Sequence, residues 1–325
     1  MGISQNSALS HIRAWKKRFS HSSYRYRTNW PSRLFRHDPL ENVAKILQAG
    51  EIRGRNIAGQ DIEKDVASQE VLSTNRDPYD YVRLYFRPKT PTQYRIEGCR
   101  KPQEELGWPH SPTLGIFLLD STKVLTRSDC YFSDGNTQNS DTVIYNDESG
   151  FEKIDFDKVY HEGGFGTSNP DNSDIIRKRC AEVLVPDRLE LSHCLQAVIC
   201  RSHAERSYLL HLLGSDSSKW SSRIKVFSKP GMFESRFSYV ESVDIHQGGL
   251  NIDFHPRRDG QKLRTEVFCQ GVGDHLPSFR WEEEDRNVSV RLYTAPLVPG
   301  TFLVTIKLEG EVVFVSQMEL VTHPV

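Results

Sequence analysis

Short apolar runs bounded by Pro, Gly or Asp restrict the fold of this 325-residue chain more than any other feature. Three of them, rich in β-branched or aromatic side chains, are Tyr81–Phe86 (YVRLYF), Leu114–Asp120 (LGIFLLD) and Cys180–Val185 (CAEVLV). Runs of this length are typical of strands. The apolar spacing within Asn42–Gly50 (NVAKILQAG) and Ala204–Leu213 instead predicts helices, the first ending in a glycine C-cap. We therefore predict a mixed α/β fold for the first part of the chain.

The hydrophobic pattern of the sequence changes from about Ser242 onward. Short alternating runs follow one another between Gly, Pro and Asp turns, and they are Asn251–Phe254, Thr265–Cys269, Val288–Tyr293 and Thr301–Val315. Regular short strands without helices indicate an antiparallel sandwich. We predict an α/β domain at 34–240 and a small all-β, immunoglobulin-like sandwich domain at 241–325.

The apolar runs and the cysteines limit the class of protein to which the chain can belong. No run approaches the roughly 18 to 20 apolar residues that cross a bilayer, and the N-terminus lacks the apolar stretch of a secretory signal. We therefore expect a soluble, cytoplasmic protein with no membrane partner. The six cysteines include no C-x-x-C pair, so we expect neither a metal site nor a disulfide framework.

Charge is unevenly distributed along the chain, although the net charge is only -1. The first 37 residues contain no Asp or Glu, and their basic residues, among them Lys16, Lys17 and Arg18, alternate with aromatic residues. Cations bind phosphates and flat rings stack on unpaired bases, so residues 1–33 are interpreted as a basic aromatic arm that binds single-stranded nucleic acid. The alternative is an arm whose aromatic residues dock on the protein core.

Glu182 is a carboxylate within the apolar strand run Cys180–Val185. It could face solvent on an alternating strand and pair with Arg179. In a cleft, the same carboxylate could take a proton from a nucleophile or stabilise an oxocarbenium-like centre, as in the cleavage of N-glycosidic bonds.

Two further groups of residues could bind an anionic ligand. The run from Tyr85 to Tyr94 (YFRPKTPTQY) holds cations and an amide on a turn stiffened by two prolines, which would suit a pyrophosphate or a base. The run Arg36-His37-Asp38 precedes a predicted helix and could hold a ribose or phosphate. Each could also be purely structural. The P-loop, dinucleotide-binding, nucleophile-elbow and H-E-x-x-H patterns are absent from the sequence, so kinase, dehydrogenase, hydrolase and zincin functions lack support.

In their order and spacing, these segments resemble the DarT family of nucleic-acid ADP-ribosyltransferases. The resemblance spans about Leu34 to Val240 and rests on the segments LFRHDPLENVAKILQAGEIRGRN, YVRLYFRPKTPTQY, FLLDSTKVL, FSDGN and RKRCAEVLVPD. It implies the ADP-ribosyltransferase fold, a mixed α/β split sheet around an NAD⁺ cleft. It also implies action on single-stranded nucleic acid.

The resemblance assigns roles to individual residues. Glu182 is implied as the catalytic glutamate and His37 as the histidine that grips NAD⁺, with Asn42 nearby, although the gap between His37 and Asn42 is two residues longer than in the family's common form. Asp134 and Gly135 match an Asp-Gly pair of the family.

A catalytic arginine is implied in the strand-and-turn motif, which often reads Y-F-x-P-R. Lys89 stands at that place and Arg87 lies two positions earlier. We predict Arg87 as the catalytic cation, with Lys89 as the alternative, and both, together with Gln93, as NAD⁺ contacts. The loop from His161 to Lys178 is implied to hold the target, so Arg177 and Lys178 are predicted to bind nucleic acid.

The predicted function is NAD⁺-dependent mono-ADP-ribosylation of a nucleobase in single-stranded DNA or RNA, with NAD⁺ as co-substrate and no metal. The resemblance also implies the toxin of a toxin–antitoxin or anti-phage defence system. Its antitoxin would be a macrodomain hydrolase or a direct inhibitor. Two alternatives remain open, which are a non-catalytic single-strand-binding module with a vestigial NAD⁺ cleft and transfer to protein.

Overall fold

Strand Leu114–Asp120 is an interior strand of an eight-stranded sheet in the computed structural model, and six of its seven residues are buried. This placement follows from its sequence, since a strand that is apolar on both faces is stable only when both faces are covered. The structure describes residues 2–21, 23, 25–58, 62–66, 77–101, 104, 109–163, 170–227, 231–286, 289 and 291–321.

The elements below are numbered in chain order within the described residues. The strands are β1 Arg33–Pro39, β2 Glu51–Arg53, β3 Tyr81–Tyr85, β4 Leu114–Asp120, β5 Tyr131–Ser133, β6 Ile144–Tyr145, β7 Glu182–Pro186, β8 Arg188–Glu190, β9 Leu195–Cys200, β10 Ile224–Val226, β11 Tyr239–His246, β12 Gly249–His255, β13 Leu263–Gly271, β14 Ser278–Arg286, β15 Arg291–Thr294, β16 Gly300–Leu308 and β17 Glu311–Leu320. The α-helices are α1 Gln5–Ser20, α2 Leu40–Ala49, α3 Arg55–Ala58, α4 Pro91–Ile96, α5 Ser121–Leu125, α6 Glu148–Glu152, α7 Phe156–Val159, α8 Asn172–Lys178, α9 Leu191–Cys194, α10 His203–Leu213 and α11 Ser217–Trp220.

The large sheet has the order β10-β9-β4-β1-β3-β7-β5-β6. Its neighbouring strands run antiparallel except β9 and β10, which are parallel. Strands β1 and β3 share one residue pair in the described part of the chain, Phe35 with Tyr85, and the two halves of the sheet meet at this narrow junction. The predicted mixed α/β sheet with helices is therefore confirmed.

Two of the predicted helices appear close to their expected bounds. Helix α2 ends at Gly50, whose φ of 73° is left-handed and whose N–H donates to the carbonyl of Ile46, as a glycine C-cap does. Helix α10 packs on α2 and also on β11 and β17. It thus links the core of the large sheet to the C-terminal strands.

The C-terminal residues form two antiparallel sheets, with orders β11-β12-β15 and β14-β13-β16-β17. The all-β character of this region is confirmed, while the immunoglobulin-like topology and the domain boundaries stay predictions. The run predicted at 288–293 starts outside the described residues, which include β15 from Arg291. Within the described ranges, no helix has both the length and the apolar character that crossing a bilayer requires.

The N-terminal arm folds into α1 and a 3₁₀ segment, Arg25–Ser32. Its aromatic residues Phe19 and Trp30 are buried in the core, as is Phe35 of β1. These three rings are docked on the protein core, as the alternative interpretation of the arm expects, and they are not available to stack on bases. Burial of such large rings stabilises the fold by about 2 to 3 kcal/mol each.

Helix α1 lies behind the sheet. Along β7, side chains alternate between the two faces, so Glu182 and Val183 point in opposite directions. Phe132 pairs in register with Val183 and contacts Phe151, which in turn contacts His11 of α1, with centroids 5.2 Å apart in both ring pairs. Helix α1 therefore covers the face opposite to Glu182.

The polar stretch 133–174 contains short helices in its described part, where the sequence indicates a loop without a sustained period. Asp147 and Asp155 start α6 and α7, since their carboxylates accept hydrogen bonds from the N–H groups of Gly150 and Lys158. N-capping by aspartate stabilises helices too short to show a hydrophobic period.

Candidate active site

A cleft of about 480 Å³ opens beside the junction of β1 and β3. Its walls come from α2, from the segment 62–66, from β3 and from α4. A cavity of this size falls within the range of sites for small molecules and cofactors.

Glu182 is the first residue of β7, and its side chain is fully buried and is not itself part of the cleft lining. Arg83, which lines the cleft, donates to Glu182 Oε1 from Nε at 3.0 Å and from Nη2 at 2.5 Å. The other oxygen, Oε2, accepts from the Thr137 N–H at 3.2 Å and from the Thr137 hydroxyl. Four donors thus fix the carboxylate, and buried charges are tolerated only with such compensation.

The Glu182 carboxylate shifts the pKa values of two neighbouring side chains, Arg83 and Tyr85. Burial alone would lower the pKa of Arg83, but the Glu182 carboxylate outweighs it and holds that pKa above its usual range. Burial, and then the charge of Glu182, also raise the pKa of Tyr85. The Tyr85 phenol therefore stays protonated beside the ion pair and can act as a hydrogen-bond donor.

The Asp-Gly pair of the sequence motif shapes the wall next to Glu182. Ser133 accepts a hydrogen bond from the Glu182 N–H at 3.0 Å and donates to the carbonyl of Gly135 at 2.6 Å. A Cβ on Gly135 would lie 2.7 Å from a guanidinium nitrogen of Arg177. Only glycine leaves room for this close approach, and the loop then carries Thr137 to the carboxylate.

The comparison with known families agrees with this arrangement. The model of the family described as "DarT: ssDNA thymidine ADP-ribosyltransferase" matches residues 34–234, which is more than half of the chain. The chain belongs to the DarT family. The match contains β1, β3 and β7, the strands that frame the cleft.

Individual relatives of this DarT-family chain are more distant. A DNA ADP-ribosyl transferase–DNA ADP-ribosyl glycohydrolase fusion protein of Thermosipho africanus is 30% identical over 117 residues, which is 33% of this chain and 27% of the fusion protein. The chain therefore spans only about a quarter of that relative.

Among solved structures, DarT of Thermus sp. 2.9 in complex with ADP-ribosylated ssDNA matches with 15% identity and a TM-score of 0.48 over 61% of this chain and 95% of that one. The same protein in complex with NAD⁺ gives 15% and 0.46, over 61% and 96% of the two chains. Thermosipho africanus DarTG in complex with ADP-ribose gives 23% and 0.44, over 61% and 50%.

His37 lines the cleft of the DarT-family chain and stacks on Tyr85, with centroids 5.4 Å apart and planes inclined by 7°. Burial, and then the positive charge of Arg36, lower the pKa of His37 to about 3. The imidazole is therefore neutral at physiological pH, with one donor and one acceptor nitrogen for a ligand.

Acid should destabilise this fold through two half-buried histidines, His11 and His37. Burial lowers the pKa of His11 to about 4, and that of His37 lies near 3, whereas both protonate near 6.5 in the unfolded chain. Below pH 6.5 the unfolded state binds more protons, so the free energy of unfolding falls as the pH is lowered and recovers fully above that value. Between pH 7 and pH 5 the expected loss is at most about 2 kcal/mol per histidine.

Thermal melting at the two pH values measures this effect. His11→Phe places an apolar ring among Phe151 and Phe156, which His11 contacts with centroids 5.2 and 4.3 Å away. The variant should lose less stability on acidification than the parent. Equal losses in both proteins would contradict the assignment of His11.

Asn42 lines the cleft, but its side-chain amide is engaged with the protein. Its oxygen accepts from the N–H groups of Glu63 and Lys64 at 3.0 and 2.9 Å, and its nitrogen donates to the Lys64 carbonyl at 2.8 Å. Lys64 in turn donates to Glu311 of β17 at 2.6 Å, and Glu311 also pairs with His110 at 2.7 Å. Asn42 therefore shapes the wall 62–66 instead of presenting its amide to a ligand.

Arg87, the predicted catalytic cation, is not among the residues that line the cleft. Its side chain is fully buried, pairs with Glu162 at 2.6 Å and lies over the ring of Trp30. Burial, and then the charge of Arg179, lower its pKa to about 10. Arg87, two residues beyond the end of β3, therefore packs inward, whereas Arg83 within the strand contacts Glu182.

Lys89 and Gln93 also make contacts that stabilise the turn after β3. Lys89 has a φ of 55°, and its N–H donates to the Gln93 side chain at 2.8 Å. Gln93 is fully buried and donates to Glu97 at 2.9 Å. Lys89 extends toward Glu162 at 3.3 Å, on the side of Arg87. The structure does not bring Arg87, Lys89 and Gln93 to Glu182.

The basic residues predicted to bind nucleic acid occupy two places. Lys16, Lys17 and Arg18 lie on α1, behind the sheet, and Arg18 pairs with Asp157. Arg177 and Lys178 end α8 and form salt bridges with aspartates at 3.1 to 3.4 Å. Of the two places only α8 is next to Glu182, and residues 164–169 of the predicted target loop lie outside the described residues.

Sequence reasoning missed Arg83, Tyr85 and Thr137. An arginine inside the apolar strand run 81–86 was the available signal for Arg83, since a charged residue within a strand of a large sheet needs a partner. Thr137 carried no such signal, because its contact with Glu182 spans 45 positions.

Proposed function

We propose that this DarT-family chain transfers ADP-ribose from NAD⁺ to a nucleobase in single-stranded nucleic acid, with Glu182 as the catalytic carboxylate. The observation that supports this most strongly is the position of Glu182, a carboxylate without solvent exposure that accepts four hydrogen bonds, two of them from Arg83 of the cleft wall. Such preorganised charges in water-excluded sites are typical of catalytic centres.

The charge of the cleft suits a dinucleotide with a pyrophosphate. Seven Lys or Arg side chains and three carboxylates line it among the described residues. Six of these cations are paired with a carboxylate, and three of the partners, Glu63, Glu182 and Glu311, are not part of the lining. A pyrophosphate would therefore bind by taking over contacts of these arginines and lysines, while the neutral His37 would hydrogen-bond a ribose hydroxyl or an amide.

In the proposed reaction, the bond between the nicotinamide nitrogen and the ribose C1 carbon breaks, and nicotinamide leaves as a neutral molecule. A nitrogen of the nucleobase forms a new bond to C1. Its proton passes to Glu182 Oε and then to solvent, which balances the charge. Glu182 also stabilises the positive ribose during the exchange.

Arg83 has two effects in this scheme. It fixes the orientation of the Glu182 carboxylate through an ion pair at 2.5 Å. It also occupies one carboxylate oxygen, so a base can reach Glu182 only when Arg83 or Thr137 gives up a hydrogen bond. Substrate binding would therefore rearrange this contact.

We further propose that the chain acts as the toxin of a toxin–antitoxin or anti-phage defence system. The relative from Thermosipho africanus, which joins a transferase to a DNA ADP-ribosyl glycohydrolase in one polypeptide, supports a partner that removes the modification. A direct inhibitor bound over the cleft is the other antitoxin considered. RNA is retained as a target beside DNA.

Mass spectrometry of oligonucleotides tests the proposed function. The chain is incubated with NAD⁺ and a panel of single-stranded DNA and RNA oligonucleotides that differ in base composition. We expect one ADP-ribose unit on a single type of base, with an equal amount of released nicotinamide. Oligonucleotide binding without nicotinamide release would support the non-catalytic alternative, and modification of added protein alone would support transfer to protein.

A further inference from the structure

A surface patch of cations and aromatic rings adjoins the cleft at α4. Tyr94 is 48% exposed, and the guanidinium of Arg236 lies 3.5 Å from the centroid of its ring. Phe237 continues the patch, with Arg236 and Arg100 at 4.9 and 5.4 Å from its centroid. Arg258 lies alongside and donates to the carbonyl of Glu234 at 2.9 Å. We call these residues the Tyr94 patch.

Two cations of the Tyr94 patch, Arg236 and Arg258, have no carboxylate within salt-bridge distance in the part of the chain that the structure describes. Arg257, which precedes Arg258 in sequence, is instead paired with Glu104 and Asp259 at 2.7 Å each. Two neighbouring cations that form no salt bridge attract phosphates.

The patch is held in place by buried polar contacts. Glu97 accepts hydrogen bonds from the N–H groups of Glu234 and Ser235 at 3.0 and 2.8 Å and so ties this segment to the end of α4. A Cβ on Gly98 would lie 2.2 Å from the Phe237 ring, which shows how closely the ring packs on that backbone. The patch is therefore preorganised, which lowers the entropy lost on binding.

The Tyr94 patch is next to the cleft, because helix α4 contributes residues to both. Arg95 and Thr92 of α4 line the cleft, and Tyr94 lies between them in sequence. The Thr92 hydroxyl is 4.0 Å from the Cys180 sulfur, two residues before Glu182. A strand with one base at Glu182 would thus pass over α4 with its flanking nucleotides.

We propose that the Tyr94 patch carries single-stranded nucleic acid that flanks the target base. Arg236 covers one face of the Tyr94 ring and the exposed remainder offers the other face to an unpaired base, as in single-strand-binding proteins. Arg236 and Arg258 contact the adjacent phosphates. Duplexes are excluded from this stacking because their bases are paired. The proposal rests on the proposed function for the location of the target base, and it uses residues beyond position 234, where the family match ends.

Fluorescence anisotropy with a labelled single-stranded DNA of about 16 nucleotides, and with the matching RNA, tests the patch on the full chain. Tyr94→Ala should weaken binding by about 5- to 150-fold, the effect of losing one stacked base. Tyr94→Phe should bind like the parent. Arg236→Gln combined with Arg258→Gln should reduce the slope of log Kd against log salt by about 1.4, the change for two phosphate contacts on a single strand.

The matched control is Lys123→Gln combined with Lys219→Gln, two exposed cations on α5 and α11 that are not part of the cleft lining or of the patch. Its affinity and salt slope should equal those of the parent. Parental binding by both Tyr94→Ala and the Arg236/Arg258 variant would overturn the proposal, and so would a loss confined to the control variant. Thermal melting checks folding, and Tyr94→Leu keeps the packing without the ring if Tyr94→Ala is unstable.

Transfer assays on the same proteins separate this inference from the proposed function. If the parent modifies no oligonucleotide but the patch variants lose binding, the proposed function fails and the patch stands. If the parent modifies oligonucleotides and the patch variants bind them normally, the patch fails and the proposed function stands.

Discussion

Glu182→Gln is expected to lower the rate of ADP-ribose transfer by about 10³-fold, the size of effect that a positioned general base contributes. Glutamine fills the same buried space, and its single carbonyl oxygen can still accept from Arg83, while its NH2 group then faces Thr137. It neither takes up a proton nor carries the charge that stabilises the ribose cation. The measurement is the initial rate of labelled ADP-ribose incorporation into a single-stranded oligonucleotide.

Two controls accompany this variant. Calorimetric titration with NAD⁺ should show binding within a few-fold of the parent, because the proposed reaction places Glu182 at the reacting carbon and not at the pyrophosphate. Glu182→Asp should recover only part of the rate, since its shorter side chain withdraws the carboxylate from the cleft. Parental transfer rates in Glu182→Gln would refute the assignment of the catalytic carboxylate.

The pair Arg83→Gln and Arg87→Gln should separate catalysis from stability. Arg87→Gln leaves Glu162 without its closest cation in a fully buried site, and breaking such a pair costs about 3 to 5 kcal/mol. The side chain of Arg83 is 20% exposed, so water can reach Glu182 after Arg83→Gln and the loss of stability should be smaller. Its transfer rate should nevertheless fall about 10²- to 10³-fold, because Glu182 loses the cation that orients it.

Two measurements on both variants test this separation. Chemical denaturation gives the free energy of unfolding, and the transfer rate per folded molecule gives the catalytic effect. Arg87→Gln should retain its transfer rate at a temperature where it remains folded. If instead Arg87→Gln were the inactive variant and Arg83→Gln the active one, Arg87 would be the catalytic cation, as the sequence motif predicts.

Local patterns were sufficient for the elements that surround the cleft. The apolar run of Leu114–Asp120 and the periodic run before Gly50 each encode one structure without reference to the rest of the chain. The strand that holds Glu182 could also be predicted, since a lone carboxylate among apolar residues is visible in the sequence. The fold class followed from these elements.

The partners of Glu182 could not be predicted in the same way. Whether Arg83 or Arg87 meets the carboxylate depends on which way the chain turns after Tyr85, and that turn is set by the distant residues Trp30 and Glu162. The orientation of α1 likewise depends on aromatic contacts across more than 130 positions, as from His11 to Phe151. Contacts between residues so far apart in the chain produce no periodic pattern in the sequence.

The link from Asn42 through Lys64 to Glu311 makes the cleft and the C-terminal strands thermodynamically coupled. A ligand that orders the wall 62–66 also favours the ion pair with β17, and by reciprocity an intact β17 favours the ligand. Occupancy of the cleft should then slow amide hydrogen exchange in β16 and β17. The C-terminal strands would in this way respond to binding of the proposed co-substrate.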